Sequence, residues 1–277
     1  MNLVIQGNSI PDPLLREIAN RAGAEAIDRI GENAYRLIRA ELDASIGEIC
    51  ESAGIDCAAV PESAKLSEFG LLVMDMDSTL IAIECIDEIA DMQGIKPRVA
   101  AITESAMRGE IDFSESLRRR VALLEGLDES ALSRVYEERL RLNPGAEIML
   151  DKLKSLGIRT LLVSGGFTFF TERLKARLGL DYAAANTLEI VSGKLTGRVL
   201  GDIVDAQGKA DWLNRIRLEL GLSKARVIAM GDGANDLKMM AEAGASIAYH
   251  AKPVVREKAS YSISHCGLDA LLNLFPD

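Results

Sequence analysis

The sequence predicts an α/β fold: a Rossmann-like parallel sheet with a helical cap insertion, preceded by a small α+β unit of ferredoxin-like order. Three observations carry this expectation. Apolar runs at Leu71 to Met74, Thr160 to Val163 and Val227 to Met230 each end in a turn of Asp, Ser or Gly, the pattern of strands in a parallel sheet covered on both faces. The stretch between the first two runs, about 82–143, shows only helical patterning. The first 66 residues alternate between the two periods in the order strand, helix, two strands, helix, strand.

Taken in order, Asn2 to Gln6 reads as a strand, and Asp12-Pro13 opens a helix with Leu14, Leu15, Ile18 and Ala19 at helical spacing. Ala26 to Ile30 and Ala34 to Arg39 read as strands joined by Gly31-Glu32-Asn33. Ser45 is the expected N-cap of a helix ending near Gly54, Cys57 to Val60 a last strand, and Pro61 to Ser67 a polar linker. This βαββαβ order defines an ACT-like domain over 1–66, followed by a core over 67–277. Within the core, helices are expected near Glu84 to Met92, Pro97 to Arg108, Phe113 to Leu124 and Glu129 to Glu138. Such an insertion at the carboxyl edge of a sheet is placed to act as a lid. Thr187 to Val191 and Lys194 to Val199 flank Ser192-Gly193 as a hairpin.

Composition narrows the function. The 277 residues are 48% hydrophobic and 27% charged, the usage of an ordinary globular protein. A formal charge of −10 repels phosphate backbones and anionic lipid, so neither nucleic acid nor membrane is an expected partner. No apolar run approaches the roughly 20 residues of a membrane span, and the start Met1-Asn2-Leu3-Val4-Ile5 lacks a basic n-region, so a cytoplasmic location is expected. A homodimer is compatible with all of this. Cys50, Cys57, Cys85 and Cys266 form no C-x-x-C pair and are expected to be reduced. The only histidines are His250 and His265, so the chemistry is expected to rest on carboxylates.

The chemistry-bearing residues gather at the three strand ends, which in an open parallel sheet face one crevice. Asp75-Met76-Asp77-Ser78-Thr79 sets two carboxylates two residues apart, a pair suited to a divalent cation with oxygen ligands, Mg²⁺ above a soft metal. Ser164-Gly165-Gly166 supplies a hydroxyl and main-chain amides that approach an anion closely. Gly231-Asp232-Gly233-Ala234-Asn235-Asp236 adds a second carboxylate cluster. Gly208-Lys209 is no phosphate-binding P-loop, because Ile203 stands where its first glycine belongs and Ala210 where its Ser or Thr does.

An Asp on the first strand, a Ser/Gly turn on the second, a lone Lys209 and paired Asp on a later strand resemble the four ordered motifs of the haloacid dehalogenase (HAD) superfamily, over about 69–260. Within it the pattern is similar to the phosphoserine phosphatase family, which places a Glu nine residues after its first Asp and then Met, Phe and Arg in its cap. Here these are Glu84, Met107, Phe113 and Arg120. The resemblance implies Mg²⁺-dependent hydrolysis of O-phospho-L-serine through an aspartyl phosphate, the last step of serine biosynthesis. It implies Asp75 as nucleophile and Asp77 as general acid and base. The metal would sit on the Asp75 and Asp232 carboxylates and the Asp77 carbonyl, the phosphoryl oxygens on Lys209, Ser164 and Gly165. Asn235 and Asp236 would order the site and orient Lys209. Glu84 and Arg120 would take the ammonium and carboxylate of the substrate, with Met107 and Phe113 packed over it. The same scaffold leaves open a phosphotransferase passing the phosphoryl group from phosphoserine to another alcohol such as homoserine. A regulatory amino-acid-binding module is the reading from another class.

Overall fold

The computed structural model describes residues 1–276. It begins with strands β1 (Asn2–Gly7), β2 (Ala26–Gly31), β3 (Ala34–Ile38) and β4 (Ile55–Val60), an antiparallel sheet in the order β2-β3-β1-β4 with helices Asp12–Arg21 and Ala44–Ser52 after β1 and β3. The alternation of β1 explains its place. Leu3 and Ile5 pack against the two helices, while Val4, with Ala58 and Val60, turns to the opposite face and joins the core of the rest of the chain. The second helix is capped by Asp43, whose Oδ1 accepts from Ile46 N at 2.9 Å, and not by Ser45, whose hydroxyl donates to Asp43 at 2.8 Å. The aspartate wins the cap because an ionised carboxylate is the stronger acceptor. In the expected linker, Leu66 opens a 3₁₀ turn and is fully buried, so this stretch packs as part of the core.

The remaining strands are β5 (Leu71–Met74), β6 (Arg159–Phe167), β7 (Tyr182–Val191), β8 (Lys194–Leu200), β9 (Val227–Gly231), β10 (Ala245–Tyr249) and β11 (Tyr261–Ile263). They form one sheet in the order β11-β10-β9-β5-β6-β7-β8, parallel except for the β7–β8 pair. Each central strand is apolar throughout because both faces are covered. Leu72, Met74, Leu162 and Met230 serve the core on one side, and Leu71, Val73, Leu161 and Ala229 the core on the other. β5 lies in the middle, and the chain leaves it toward β6 and later returns on its far side as β9. The ends of these three strands therefore share one crevice at the switch point. The expected hairpin is longer at its first strand, since β7 starts at Tyr182 by pairing parallel with β6 before it turns antiparallel to β8.

Between β5 and β6 run helices Cys85–Met92, Lys96–Met107, Phe113–Ala122 and Ser130–Arg134, the last passing into a π turn over Val135–Arg139 where a single helix was expected. Both passages out of and into the sheet are tied together: Ala82 N donates to Arg141 O at 2.9 Å and Asn143 N to Leu80 O at 3.0 Å. The helical stretch rests on the β7–β8 hairpin through Gly126 N to Leu195 O at 2.8 Å.

Candidate active site

Asp75 follows β5 directly and its amide still donates to Met230 O at 3.0 Å, so the strand pairing fixes its backbone. Its side chain is buried, and Oδ1 accepts from Met76 N at 2.7 Å and lies 2.7 Å from Lys209 Nζ. Lys209 comes from the helix Ala206–Glu219, started by Asp205, whose carboxylate accepts from Gln207 N and Gly208 N. The same ammonium contacts Asp236 Oδ1 at 2.7 Å, and Asp236 Oδ2 accepts from Gly233 N at 3.0 Å. The glycines of this loop are required: a β-carbon at Gly231 would overlap the Asp236 carboxylate.

Asp77 is held from one side, its Oδ1 accepting from Cys85 N at 3.0 Å, while its Oδ2 lies against Gly166, where a β-carbon would come within 2.8 Å of it. Ser164 is buried and its Oγ accepts from Gly166 N at 2.8 Å. Ser78 takes a left-handed backbone, φ 58°, unusual for a residue with a side chain, and its hydroxyl donates to Glu84 Oε1 at 2.8 Å. Of the run Arg118-Arg119-Arg120, the first two are exposed and only Arg120 turns inward, where Asp87, Glu84 and Asp77 surround its guanidinium. The Phe113 ring lies over Gly165, whose β-carbon would meet Cζ at 2.7 Å, so the helical stretch touches the phosphate-loop candidate directly. Met107, the last residue of its helix, is 70% exposed.

The electrostatics are those of a site short of positive charge. Burial, then Asp236, pushes the Asp75 carboxyl well above the usual range against the pull of Lys209. Burial also raises Asp77, against the amide bond from Cys85. Asp232 is pushed up to about 6 by burial, with Asp236 and Glu84 adding to it, and Glu84 to about 7 by burial and Asp77. Lys209 is moved upward: burial works against its charge, but Asp236 and Asp75 at contact distance outweigh it. One ammonium does not balance these carboxylates, and oxygens of Asp75, Asp232 and Asp236 lie within 4.8 Å of one another. The donor set fits a hard divalent cation. Both oxygens of Asp236 are already engaged, whereas Asp75 and Asp232 are each engaged through Oδ1 alone and keep Oδ2 for a cation.

The strand ends thus bring together Asp75, Asp77, Ser164, Gly165, Lys209, Asp232, Asn235 and Asp236, with Glu84, Phe113 and Arg120 closing from the insertion. Two supporting residues, Asn186 and Asn143, escaped sequence reasoning, and Thr79 reads in the sequence only as the end of the loop after β5. Asn186 is buried in β7; its Nδ2 donates to Gly165 O at 2.8 Å and its Oδ1 accepts from Val204 N at 2.8 Å. A lone amide in a run of small apolar residues was its signal. Thr79 is fully buried with Oγ1 3.4 Å from Asp232 Oδ1, and Asn143 Nδ2 donates to Thr79 O at 2.7 Å. Asn143 had no signal, because its partner lies 64 positions away.

A paired acidic loop, a buried lysine and a lid on a parallel sheet define a phosphoryl-transfer class, and a family model for haloacid dehalogenase-like hydrolases matches residues 72–241; the chain belongs to that family. A second model, for a domain of unknown function (DUF4072), matches 3–45. The chain is 55% identical over 228 residues to the phosphoserine phosphatase of Polaromonas sp. (strain JS666), covering 80% of this chain and 97% of that one. Among solved structures it matches the unliganded probable phosphoserine phosphatase of Vibrio cholerae with a TM-score of 0.87 at 41% identity, over 99% of this chain and 85% of that one. A phosphoserine phosphatase described as a phospho-aspartyl intermediate analogue matches with a TM-score of 0.70 at 40% identity, over 75% of this chain and 99% of that one. Within the superfamily, the chain belongs to the phosphoserine phosphatases. Among the described residues no helix is long and apolar enough to cross a membrane.

Proposed function

We propose that this chain hydrolyses O-phospho-L-serine to L-serine and phosphate in the cytoplasm, through a phosphoryl group carried on Asp75, as the final step of serine biosynthesis. The observation that carries this reading is the buried Lys209 ammonium set between Asp75 and Asp236 at 2.7 Å from each, with Arg120 and Glu84 turned toward Asp77. Mg²⁺ held by the Asp75 and Asp232 carboxylates and the Asp77 carbonyl would supply positive charge to offset the repulsion between nucleophile and phosphate.

An Asp75 oxygen attacks phosphorus as the bond to the seryl oxygen breaks, and Asp77 gives that oxygen its proton. Burial favours the protonated Asp77 that this step needs, and the amide of Cys85 holds the side chain in place. Asp77 then takes a proton from water, whose oxygen attacks phosphorus and releases Asp75. Lys209, Ser164 and the Gly165 amide hold the phosphoryl oxygens, and Asp236 fixes Lys209 while Asn235 orders its loop. At the other end of the substrate, Arg120 offers a fork to the carboxylate and Glu84 an anion to the ammonium. Phe113 over Gly165, together with Met107, excludes water when substrate is bound.

The test is phosphate release from L-phosphoserine with Mg²⁺, with a chelator, and with Asp75→Asn, beside phosphothreonine and an aryl phosphate. Metal-dependent release confined to phosphoserine and lost in the variant supports the reading. Appearance of a phosphorylated second alcohol in place of free phosphate would make the enzyme a phosphotransferase.

A further inference from the structure

The N-terminal sheet contributes no side chain to the site, yet one of its carboxylates is wholly taken up by the other part of the chain. Asp56 of β4 is 5% exposed. Its Oδ1 accepts from Ser264 N at 2.6 Å and His265 N at 3.2 Å, and its Oδ2 from His265 N at 3.1 Å and Cys266 N at 3.0 Å. Three successive amides around one anion form a backbone nest, here filled by the protein itself. Hydrogen bonds to an ionised acceptor are the strong ones. Residues 264–266 follow β11 and belong to no strand or helix, so Asp56 gives them their shape.

From there two short routes lead to the site, and both end on Asp232. Along the chain, Leu268 N donates to Pro144 O at 2.8 Å, and Asp269 lies against Gly145, whose φ of 77° and lack of space exclude a side chain. Pro144 follows Asn143, at the return of the helical insertion to the sheet; Asn143 holds Thr79, and Thr79 lies beside the Asp232 carboxylate. Across the chain, Cys266 O meets His250 Nε2 at 2.9 Å, and Lys252 N donates to Asp232 O at 3.2 Å.

We propose that Asp56 is a positioning residue for the hydrolysis: the N-terminal unit braces residues 264–269, and through them fixes the hinge of the cap at 143–145 and the loop that carries Asp232. This assigns a role to the part of the chain that holds the match to a domain of unknown function, and it rests on the reading of Asp232 as a metal ligand in phosphoserine hydrolysis. Removing the carboxylate strips three amides of their acceptor, and the loosening travels beyond the interface.

The experiment uses the full chain with Asp56→Ala, Asp56→Asn, Asn143→Ala and the double variant Asp56→Ala/Asn143→Ala. Amide hydrogen exchange is read by segment, alongside kcat, KM and the Mg²⁺ concentration for half-maximal activity. Asp56→Ala is expected to speed exchange about tenfold at 264–269 and also at 141–145 and 78–82. It should lower kcat and raise the Mg²⁺ requirement several-fold with little change in KM. The double variant is expected to lose little more than Asp56→Ala alone, because both residues act on one path. Faster exchange confined to 264–266 with an unchanged kcat and Mg²⁺ requirement, or fully additive losses, would overturn the proposal. If Asp56→Ala does not fold, Asp56→Asn carries the test: it keeps the shape but turns a donor toward the nest. A wild-type protein inactive on phosphoserine would remove the functional reading, and exchange at 141–145 and 78–82 would still decide the brace.

Discussion

The Lys209 ammonium lies 2.7 Å from Asp75 and 2.7 Å from Asp236, one buried cation shared by two buried carboxylates. Asp236 thereby fixes the lysine at the height of Asp75. Replacing it, Lys209→Met, leaves two carboxylates facing each other out of reach of water. Breaking a buried ion pair from one side costs about 3–5 kcal/mol, and loss of one preorganised donor costs about 10²–10³ in rate. Urea unfolding without Mg²⁺ and phosphate release with it are the measurements. A variant as stable as the wild type would mean that the two carboxylates share a proton and need no cation between them.

Phe113 and Gly165 make the contact that joins the helical insertion to the turn after β6 proposed to hold the phosphoryl group. Gly165→Ala would place a methyl group 2.7 Å from the ring, closer than carbon atoms pack, so either the insertion or the loop must move. The expected outcome is a fold of nearly unchanged stability and a kcat/KM for phosphoserine lowered about tenfold or more, since small misplacements of a reacting group cost that much. Phe113→Ala in the same chain should recover part of the loss. If the double variant is worse than Gly165→Ala alone, the ring contributes more by covering the substrate than the methyl costs by collision.

The sheet and the cluster at its strand ends were legible because each signal is local: an apolar run, then Asp, Ser or Gly within six residues. The N-terminal order was legible for the same reason, as the period changes from two to about 3.6 within short runs. What stayed hidden depends on contacts between distant positions. Asp43, two residues before Ser45, takes the cap from it, because two good acceptors lie within reach of the same amides. Leu66 in a polar stretch is buried because the face of β1 bearing Val4 needs a partner. Asp56 and Asn143 have ordinary polar surroundings in the sequence, and only the folded chain shows that they are bonded across 210 and 64 positions.

Met107 stands 70% exposed at the end of its helix. An exposed side chain away from caps and ion pairs contributes little to folding, typically within about 0.5 kcal/mol. Met107→Ala should therefore leave thermal stability unchanged, and if Met107 packs over bound phosphoserine as proposed it should raise KM several-fold. Thermal melts with and without substrate separate the two states: a loss of stability already in the free protein would place Met107 in the core, contrary to its exposure.

Glu84 links the site to pH. Burial, with Asp77 next, pushes its carboxyl up from 4.5 to about 7, and the Ser78 hydroxyl opposes this. A folded-state value above the unfolded one means that the fold takes up a proton, so this group's favourable contribution is complete below about 4.5 and is lost as pH rises through about 7. The side chain is open to solvent on one side, which keeps that contribution small. Substrate binding runs the other way. If Glu84 holds the ammonium of phosphoserine as proposed, binding needs its ionised carboxylate, so KM is expected to fall as pH rises through about 7. Glu84→Gln should flatten that dependence while raising KM, and its melting temperature without substrate should decline less than the wild type's between pH 4.5 and 7. Phosphate ionisation of the substrate affects both proteins alike and cancels in their ratio. A KM ratio independent of pH would show that the ammonium is held by a group other than Glu84.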